Sequence, residues 1–590
     1  MNLKDYYHEV VSKLGFSTKR PYLEEVVIPT IDNKWNEKNV FIVEAPTGYG
    51  KTSISMTLAL YSIKEEMKAI IALPQRSLLE DQYEKLKLLF NEDLLGKRYM
   101  HNPESPYLLK PITLTTIDTL SLTLLGISPE DLSKILRHQM GRGSSLGHYL
   151  FSAASIALSN IILDEAHLMT DSTKSLNFLV CLARFSIDCG RKLVLMSATI
   201  PKRVKKALME GLRIWRERIL FIEFTKEEQV KDRDKFDCVA GWDEKFVEVR
   251  AEKKYEPNIK QVFPENKHTF INEWLSKKFK ENSQTKAIVI FNTVKDARDF
   301  HRSIKNFKWT DKIPKLLIHS RFTEADRVGR EHKIESLKKE ASYLIVTTQA
   351  IEVGVDISSN VMVTEIAPAN SLIQRLGRFL RYDEKAGELL IWYESSENGL
   401  MKTSEEKYKV YDWNLTNATL NGLQTTLSFH IPYNYKEKIG YIHLLNEVYE
   451  RFSIIPNPSE ISSLYRITVD LKSMSKSAME KFLELNGSFV RDEFIVPVIP
   501  KTILGGSLEK YQEKIIPISY RLFRKILRRD KVISAIIFRE HEEQPQFKLI
   551  NSNRFMTPLN CLREIVKNSI SAFVVDAGYS IEDGLQVINE

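Results

Sequence analysis

The chain has 590 residues, 43% apolar and 27% charged, the balance of a folded globular protein long enough for about three or four domains. Its net charge of +8, from 85 basic and 77 acidic residues, is mildly basic and compatible with a nucleic-acid partner without demanding one. Four cysteines (Cys181, Cys189, Cys238, Cys561) show no Cys-x-x-Cys spacing, so neither a zinc framework nor a disulfide scaffold is implied, which suits a reducing compartment. The first residues lack a signal-peptide apolar core and no apolar run reaches spanning length, so a cytoplasmic protein with no membrane partner is expected.

Residues 1–20 read as an amphipathic lead-in. The apolar run Val40, Phe41, Ile42, Val43 reads as a buried strand, and Ile54, Met56, Leu58, Ala59, Leu60 as a helix. Between them lies Ala45-Pro46-Thr47-Gly48-Tyr49-Gly50-Lys51-Thr52, a candidate phosphate-binding loop in strand–loop–helix context. Gly48 and Gly50 let the backbone turn its N–H groups inward, and the helix N-terminus adds its positive end. Lys51 supplies a charge for the β- and γ-phosphates of ATP, and Thr52 a hydroxyl for Mg²⁺.

A second strand is expected at Ala69–Leu73, ended by Pro74. Arg76 follows it, at the head of a helix. Ile112–Leu114 is a third strand, with Thr116 at its end. Both ends carry groups suited to nucleic-acid phosphates. Gly141, Arg142, Gly143, Ser144, Ser145 and Gly147 suggest a surface loop. Ile161–Leu163 is a strand ending in Asp164-Glu165-Ala166-His167. Carboxylates at a buried strand's C-terminal end, beside a phosphate loop, suit metal binding and water activation: Asp164 for Mg²⁺, Glu165 for the attacking water. His167 is a candidate contact to the next motif, Ser197-Ala198-Thr199, which ends the strand Lys192–Met196. Repeated strand–loop–helix units with polar residues at strand ends indicate a doubly wound parallel sheet.

Residues 204–265, dense in mixed charge, read as a linker. A second series of strands follows at 287–291, 316–318 and 343–346, with Thr293, Arg321 and Thr348 close behind their ends and Asp356 further on. In Ser371–Arg381, Gln374, Arg375, Arg378 and Arg381 share one helical side. Their apolar neighbours suggest a packed interface with inward arginines, able to act as fingers on phosphoryl charge. Beyond residue 400 no catalytic constellation is seen. Tyr441–Phe452 reads as a helix, and 464–470 and 532–539 as strands. Arg521, Arg524, Lys525, Arg528 and Arg529 form one basic helical face.

Taken in order, APTGYGKT, LPQRSLLEDQ, TTID, DEAH, SAT, FNTV, HSRF, TTQAIEVGVD and QRLGRFLR resemble the motif series of superfamily 2 helicases, over residues 15–395. The resemblance implies an α/β fold of two tandem RecA-like parallel-sheet domains, with ATP between them, plus an α+β C-terminal accessory domain. The expected boundaries are 1–20 for the lead-in, 21–220 for the first domain, 221–400 for the second and 401–590 for the linker and accessory domain. ATP contacts are implied for Ala45 through Thr52 and for Asp356, with catalytic roles for Lys51, Asp164, Glu165, Gln374, Arg378 and Arg381. Single-stranded DNA contacts are implied for Arg76, Thr116, Thr293, Arg321 and Thr348. Many such helicases have an adenine-reading Gln near Arg20-Pro21-Tyr22; here Leu23 follows Tyr22.

IILDEAH, TQAIEVGVDI and QRLGRFLR are similar to the CRISPR-associated helicases of the Cas three family, although Gly354 stands where many members have Ser. Members usually carry an HD nuclease ahead of the helicase. The stretch before Ala45 is short, and no His-Asp dipeptide occurs among the 12 histidines. The resemblance therefore implies a helicase-only form: a 3′-to-5′ DNA translocase in type I CRISPR interference. Its implied partners are a separate HD nuclease subunit and the CRISPR RNA-guided surveillance complex (Cascade). A DNA-repair or RNA-remodelling helicase of the superfamily, or an ATP-binding nucleic-acid clamp without unwinding activity, are the alternatives.

Overall fold

The computed structural model describes residues 2–16, 19–99, 104–128, 135, 149–170, 172–229, 236–352, 354–394, 410–452, 455–470, 474–491, 494–504, 510–537 and 545–587. The glycine-rich stretch 141–147 lies outside them.

Eight parallel strands build the first sheet: β1 (Val40–Glu44), β2 (Lys68–Leu73), β3 (Leu95–Arg98), β4 (Ile112–Thr116), β5 (Ser159–Leu163), β6 (Leu193–Ser197), β7 (Ile219–Phe224) and β8 (Cys238–Gly241). Their order is β3-β4-β2-β5-β6-β1-β7-β8. β1 pairs with β6 and β7 in parallel, so the phosphate loop leaves the sheet beside the Ser197 strand. Strands such as β1 are buried throughout, as a parallel sheet covered on both faces requires. Alternation divides them. Phe41 and Val43 enter one core with the N-terminal helix Leu3–Lys13, while Val40 and Ile42 enter the other.

The second sheet, also parallel, holds β9 (Pro257–Val262), β10 (Lys286–Ile290), β11 (Lys315–Ile318), β12 (Tyr343–Thr347), β13 (Val361–Glu365) and β14 (Glu388–Glu394). The order is β11-β12-β10-β13-β14-β9. These are two tandem RecA-like domains. A third, mixed sheet of five strands belongs to the C-terminal region, where Ile495–Pro500 and Ile570–Val575 run side by side.

Three expectations change. The boundary at 220/221 falls inside β7, because β7 and β8 extend the first sheet to Gly241. Most of 204–265 is therefore folded rather than linker, and it includes a connector helix, Glu244–Ala251, capped by Asp243. Residues 464–470 belong largely to a helix, Pro458–Val469, capped by Asn457. There Ile461, Leu464 and Ile467 form the buried stripe, so the alternating β-branched residues lose to an Asn-Pro start signal. The strand expected at 532–539 is present as Val532–Ile537.

The C-terminal region touches both domains. Lys174 of the first donates to the carbonyls of Leu485 (2.6 Å) and Arg491 (2.7 Å), and Arg491 pairs with Asp118. A terminal hairpin, strands Gly578–Ser580 and Gly584–Gln586, lies on the second domain. There Arg302 meets Asp583 at 2.9 Å and Leu585 N–H donates to the carbonyl of Arg321.

Candidate active site

Gly48 (φ +73°) and Gly50 (φ +100°) bend the phosphate loop through left-handed conformations that a side chain would disfavour. Helix Lys51–Lys64 begins at once behind Gly50, aiming its free N–H groups into the loop. Lys51 is buried; its Nζ donates to the carbonyl of Ala45 at 3.3 Å and stands 3.6 Å from Glu165 Oε1. Pro46 is buried, while Thr47 and Thr52 are half-buried. Tyr49 turns away from the loop's mouth into a nest of Tyr22, Phe224 and Phe246. Its hydroxyl donates to Asp243 at 2.6 Å and accepts the N–H of Tyr22. A second anchor lies beneath the loop, where Lys205 bridges Glu44 (3.0 Å) and Glu223 (2.6 Å).

At the end of β5, Asp164 accepts from Gln82 Nε2 (3.0 Å) and from the N–H of Glu165 (2.9 Å). Burial, then the neighbouring Glu165 charge, push the Asp164 carboxyl up to about 6. Glu165 adopts a left-handed backbone, φ +53°, at a cost of roughly 1–3 kcal/mol. Burial works to raise Glu165, but the charges of Lys51 and Arg378 outweigh it and hold the carboxyl below its ordinary value. Its Oε2 is buried without a hydrogen bond among the described residues. That oxygen stands 3.4 Å from His167 Nδ1, and an ionised carboxylate with no hydrogen bond on one oxygen is suited to take a proton from water.

His167 links three motifs. Burial holds its imidazole down at about 4, hence neutral. Its Nε2 lies 3.3 Å from the Gln374 amide nitrogen and its Nδ1 3.3 Å from Ser197 Oγ. The amide can only donate, so the ring proton sits on Nδ1. Gln374 belongs to the second domain, and this bond crosses the cleft. Other crossings accompany it. Arg76 pairs with Glu324 at 3.2 Å. A Cβ on Gly377 would meet Thr47 Oγ1 at 3.5 Å, and one on Gly354 would meet Ser77 Oγ at 2.6 Å.

Arg378 is buried in the cleft, with Nη2 donating to the Glu352 carbonyl at 3.2 Å and Nε unpartnered among the described residues. Burial, then Arg381, bring its guanidinium down to about 9. Arg381 pairs with Asp356 at 3.0 Å, so that the two residues occupy one place at the cleft's rim. Arg375 points the other way, fully buried, onto Glu352 (2.9 Å), Asn292 (2.8 Å) and Tyr411 (2.9 Å). It anchors the helix Ala369–Leu376 rather than reaching the cleft.

Among the described residues no group of three or more His, Cys, Asp or Glu side chains could hold a metal. Thr52 and Asp164 fit Mg²⁺ differently. Mg²⁺ commonly takes one or two protein oxygens, with phosphate oxygens and waters completing its shell, and a cation here would favour the ionised form of the raised Asp164 carboxyl.

The five residues expected to contact nucleic acid all lie at or just beyond strand C-terminal ends. Thr116 caps the helix Ile117–Leu124 and Thr293 the helix Val294–Ile304 through their hydroxyls. Thr348 is buried. Arg76 is held by Glu324 and by the Tyr99 ring, and Arg321 lies beneath the terminal hairpin. Sequence reasoning missed Asp243, Phe246 and Arg250, which meet the phosphate loop from the connector helix; the capping Asp243 was their only local signal.

Comparison with known proteins agrees with this geometry. Residues 24–207 match the DEAD/DEAH box helicase family, and residues 283–384 match the C-terminal part of CRISPR-associated nuclease/helicase Cas3. A CRISPR-associated nuclease/helicase Cas3 from Methanocaldococcus jannaschii is 27% identical over 455 residues, covering 71% of this chain and 54% of that protein. The chain thus spans about half the length of that relative. T. fusca Cas3 superposes with a TM-score of 0.62 at 16% identity, over 98% of this chain and 72% of that one; its ATP form gives 0.61 at 17% identity, over 88% and 67%. A chain of a CRISPR RNA-guided surveillance complex, pre-nicking, gives 0.56 at 16% identity, over 98% and 69%. Motifs, fold and relatives agree: the chain is similar to DEAD/DEAH-box helicases and, among them, to CRISPR-associated Cas3 proteins.

Proposed function

We propose that this protein is an ATP-driven, 3′-to-5′ single-stranded DNA translocase and helicase of type I CRISPR interference. The observation that carries the catalytic part is the two-sided cleft: Lys51, Asp164 and Glu165 on one wall, Gln374 and Arg378 on the other, joined by the Gln374–His167 contact at 3.3 Å. The loop's N–H groups and Lys51 bind the β- and γ-phosphates. Thr52 and Asp164 would hold Mg²⁺, which would supply positive charge against the phosphate oxygens. Glu165 orients the attacking water and takes its proton, while Arg378 stabilises charge on the phosphoryl group in flight. Arg381 and Asp356 act together at the rim.

Movement follows from the same contacts. Hydrolysis removes the charge that draws Arg378 towards the loop, and the domains part. Strand-end groups on the two sheets, Arg76 and Thr116 on one and Thr293, Arg321 and Thr348 on the other, then alternate in holding the backbone of the strand. Backbone contacts imply weak sequence preference and strong salt dependence. The polarity, the DNA preference and the assignment of cutting to a separate HD nuclease subunit rest on the family resemblance. Docking on the surveillance complex rests on the family and on the fold shared with a chain of such a complex.

The test is a panel of DNA and RNA duplexes with 3′ or 5′ tails, assayed for ATP-dependent unwinding beside the Lys51→Ala variant. Unwinding confined to 3′-tailed DNA and lost in the variant is expected. Preference for RNA or for 5′ tails, or unwinding that survives Lys51→Ala, overturns the proposal.

A further inference from the structure

One strongly cationic group at the cleft belongs to none of the recognised motifs. Arg250 lies in the last turn of the connector helix Glu244–Ala251. Among the described residues, the glycine's own chain neighbours aside, Arg250 Nη2 is the one atom within 4 Å of where a Cβ on Gly48 would stand, at 3.0 Å. Its guanidinium is held against the Phe246 ring, 4.4 Å from the centroid, and Phe246 in turn packs on Tyr49 of the loop. The arginine is thus fixed beside the loop by the packing that fixes the loop itself.

Its electrostatic surroundings are unbalanced. Neither Arg250 nor Arg20, which sits over the same Tyr49 and Phe246 rings, makes an ion pair among the described residues. Burial, opposed only by Tyr441, and then Arg381 and Arg20 lower the Arg250 guanidinium to about 10. Arg381 has Asp356 as its partner, but Arg250 and Arg20 share the Phe246 ring without one, and a multiply charged anion relieves the repulsion between them.

We propose that Arg250 is a nucleotide ligand: it binds a phosphate of the nucleoside triphosphate beside Gly48, supplied by the helix that connects the two domains. This deepens the reading of the cleft as an ATP site and rests on it. The location also gives the contact a consequence. Three residues on, Lys253 donates to the carbonyls of Tyr382 (2.6 Å) and Glu384 (2.5 Å), just past Arg381. A phosphate held by Arg250 therefore bears on the segment that carries the second domain's arginines.

The test uses the full chain with Arg250→Met, which keeps a side chain over Phe246 without charge, Arg250→Lys, and Lys245→Ala as an exposed cation on the same helix. ATP hydrolysis yields KM and kcat, and direct titration with ATP and ADP yields Kd. Arg250→Met is expected to raise KM and Kd for ATP roughly tenfold or more, the scale of one lost charged hydrogen bond, with kcat within a few-fold. Arg250→Lys should lie between, and Lys245→Ala should match the wild type. Equal melting temperatures without nucleotide would exclude a folding defect. If Arg250→Met melts lower, ATP affinity intermediate in Arg250→Lys decides for the role and affinity unchanged in that variant decides against it. Wild type that binds ATP while Arg250→Met binds it equally well overturns this role alone. Wild type that binds no nucleotide overturns the cleft reading as well.

Discussion

The phosphate loop and the finger loop face each other across one cleft, yet they are held in different ways. The phosphate loop runs directly from a buried strand into a helix, and its two positive-φ glycines, its lysine and its helix N-terminus lie within eight consecutive residues. The finger segment, Gly377–Arg381, has local support only at its start, where the N–H groups of Gly377, Arg378 and Phe379 donate to the carbonyls of Ile373, Arg375 and Leu376. Leu380 stands at φ +47°, and the backbone is held by distant groups: Ser359 exchanges hydrogen bonds with Arg378 and Leu380, Ser358 Oγ accepts from Arg381 N–H, and His430 Nε2 lies 2.7 Å from the Phe379 carbonyl. A loop built from neighbours in sequence can be recognised from sequence. A loop built from neighbours in space is recognised only by its arginines, and its supports are not.

The comparison can be broken first at the phosphate loop. Lys51→Ala should reduce DNA-stimulated ATP hydrolysis by roughly 10²-fold or more, as expected when a charge on the transferring phosphoryl group is lost; near-normal turnover would remove Lys51 from the mechanism. Next comes the join between the domains. Gly354 (φ +77°) leaves no room for a Cβ, which would meet Ser77 Oγ at 2.6 Å and the Leu78 nitrogen at 2.9 Å. Gly354→Ala should hold the cleft open and lower kcat about tenfold or more, while the phosphate loop keeps its ADP affinity. An unchanged kcat would mean that hydrolysis does not need this closure.

A gentler probe is pH. Asp164 titrates at about 6; below that value it is protonated and loses its capacity to hold Mg²⁺. Turnover at limiting Mg²⁺ should therefore fall about tenfold for each pH unit below 6, and excess Mg²⁺ should shift the fall to lower pH. A profile flat to pH 5 would contradict the assignment. The smallest effect is expected at the finger loop's remote support. Burial brings His430 down to about 3, so the ring is neutral and donates one N–H to the Phe379 carbonyl. His430→Ala leaves that buried carbonyl unpaired, at about 1–3 kcal/mol. A lower melting temperature and a several-fold loss of kcat with unchanged ATP affinity are expected; stability and rates equal to wild type would show the contact to be idle.

What was legible in the sequence follows the same division. The strand before Ala45, the Asp164-Glu165 strand end and the Gln374 and Arg378 spacing are local patterns, and the fold brings them together across the cleft. Residues 204–265 read as linker because the surrounding charge masks the short apolar run of β7 and the stripe that seats Val247 and Ala251. Asp243 and Arg250 therefore carried no recognisable signal, although Tyr49 depends on the first and Gly48 faces the second. The helix Pro458–Val469 was legible in principle: Asn457-Pro458 is a start signal, and Ile461, Leu464 and Ile467 repeat at three-residue intervals.

The central claim is that ATP is hydrolysed in a site completed by both domains. Its most direct test is ATP hydrolysis by the Arg378→Ala variant at saturating ATP, Mg²⁺ and single-stranded DNA, paired with equilibrium ATP binding. The account predicts a fall in kcat of roughly 10³-fold or more, the scale of an arginine finger, with ATP affinity changed by no more than a few-fold. A kcat equal to wild type would contradict it, because the second domain would then have no part in the chemistry.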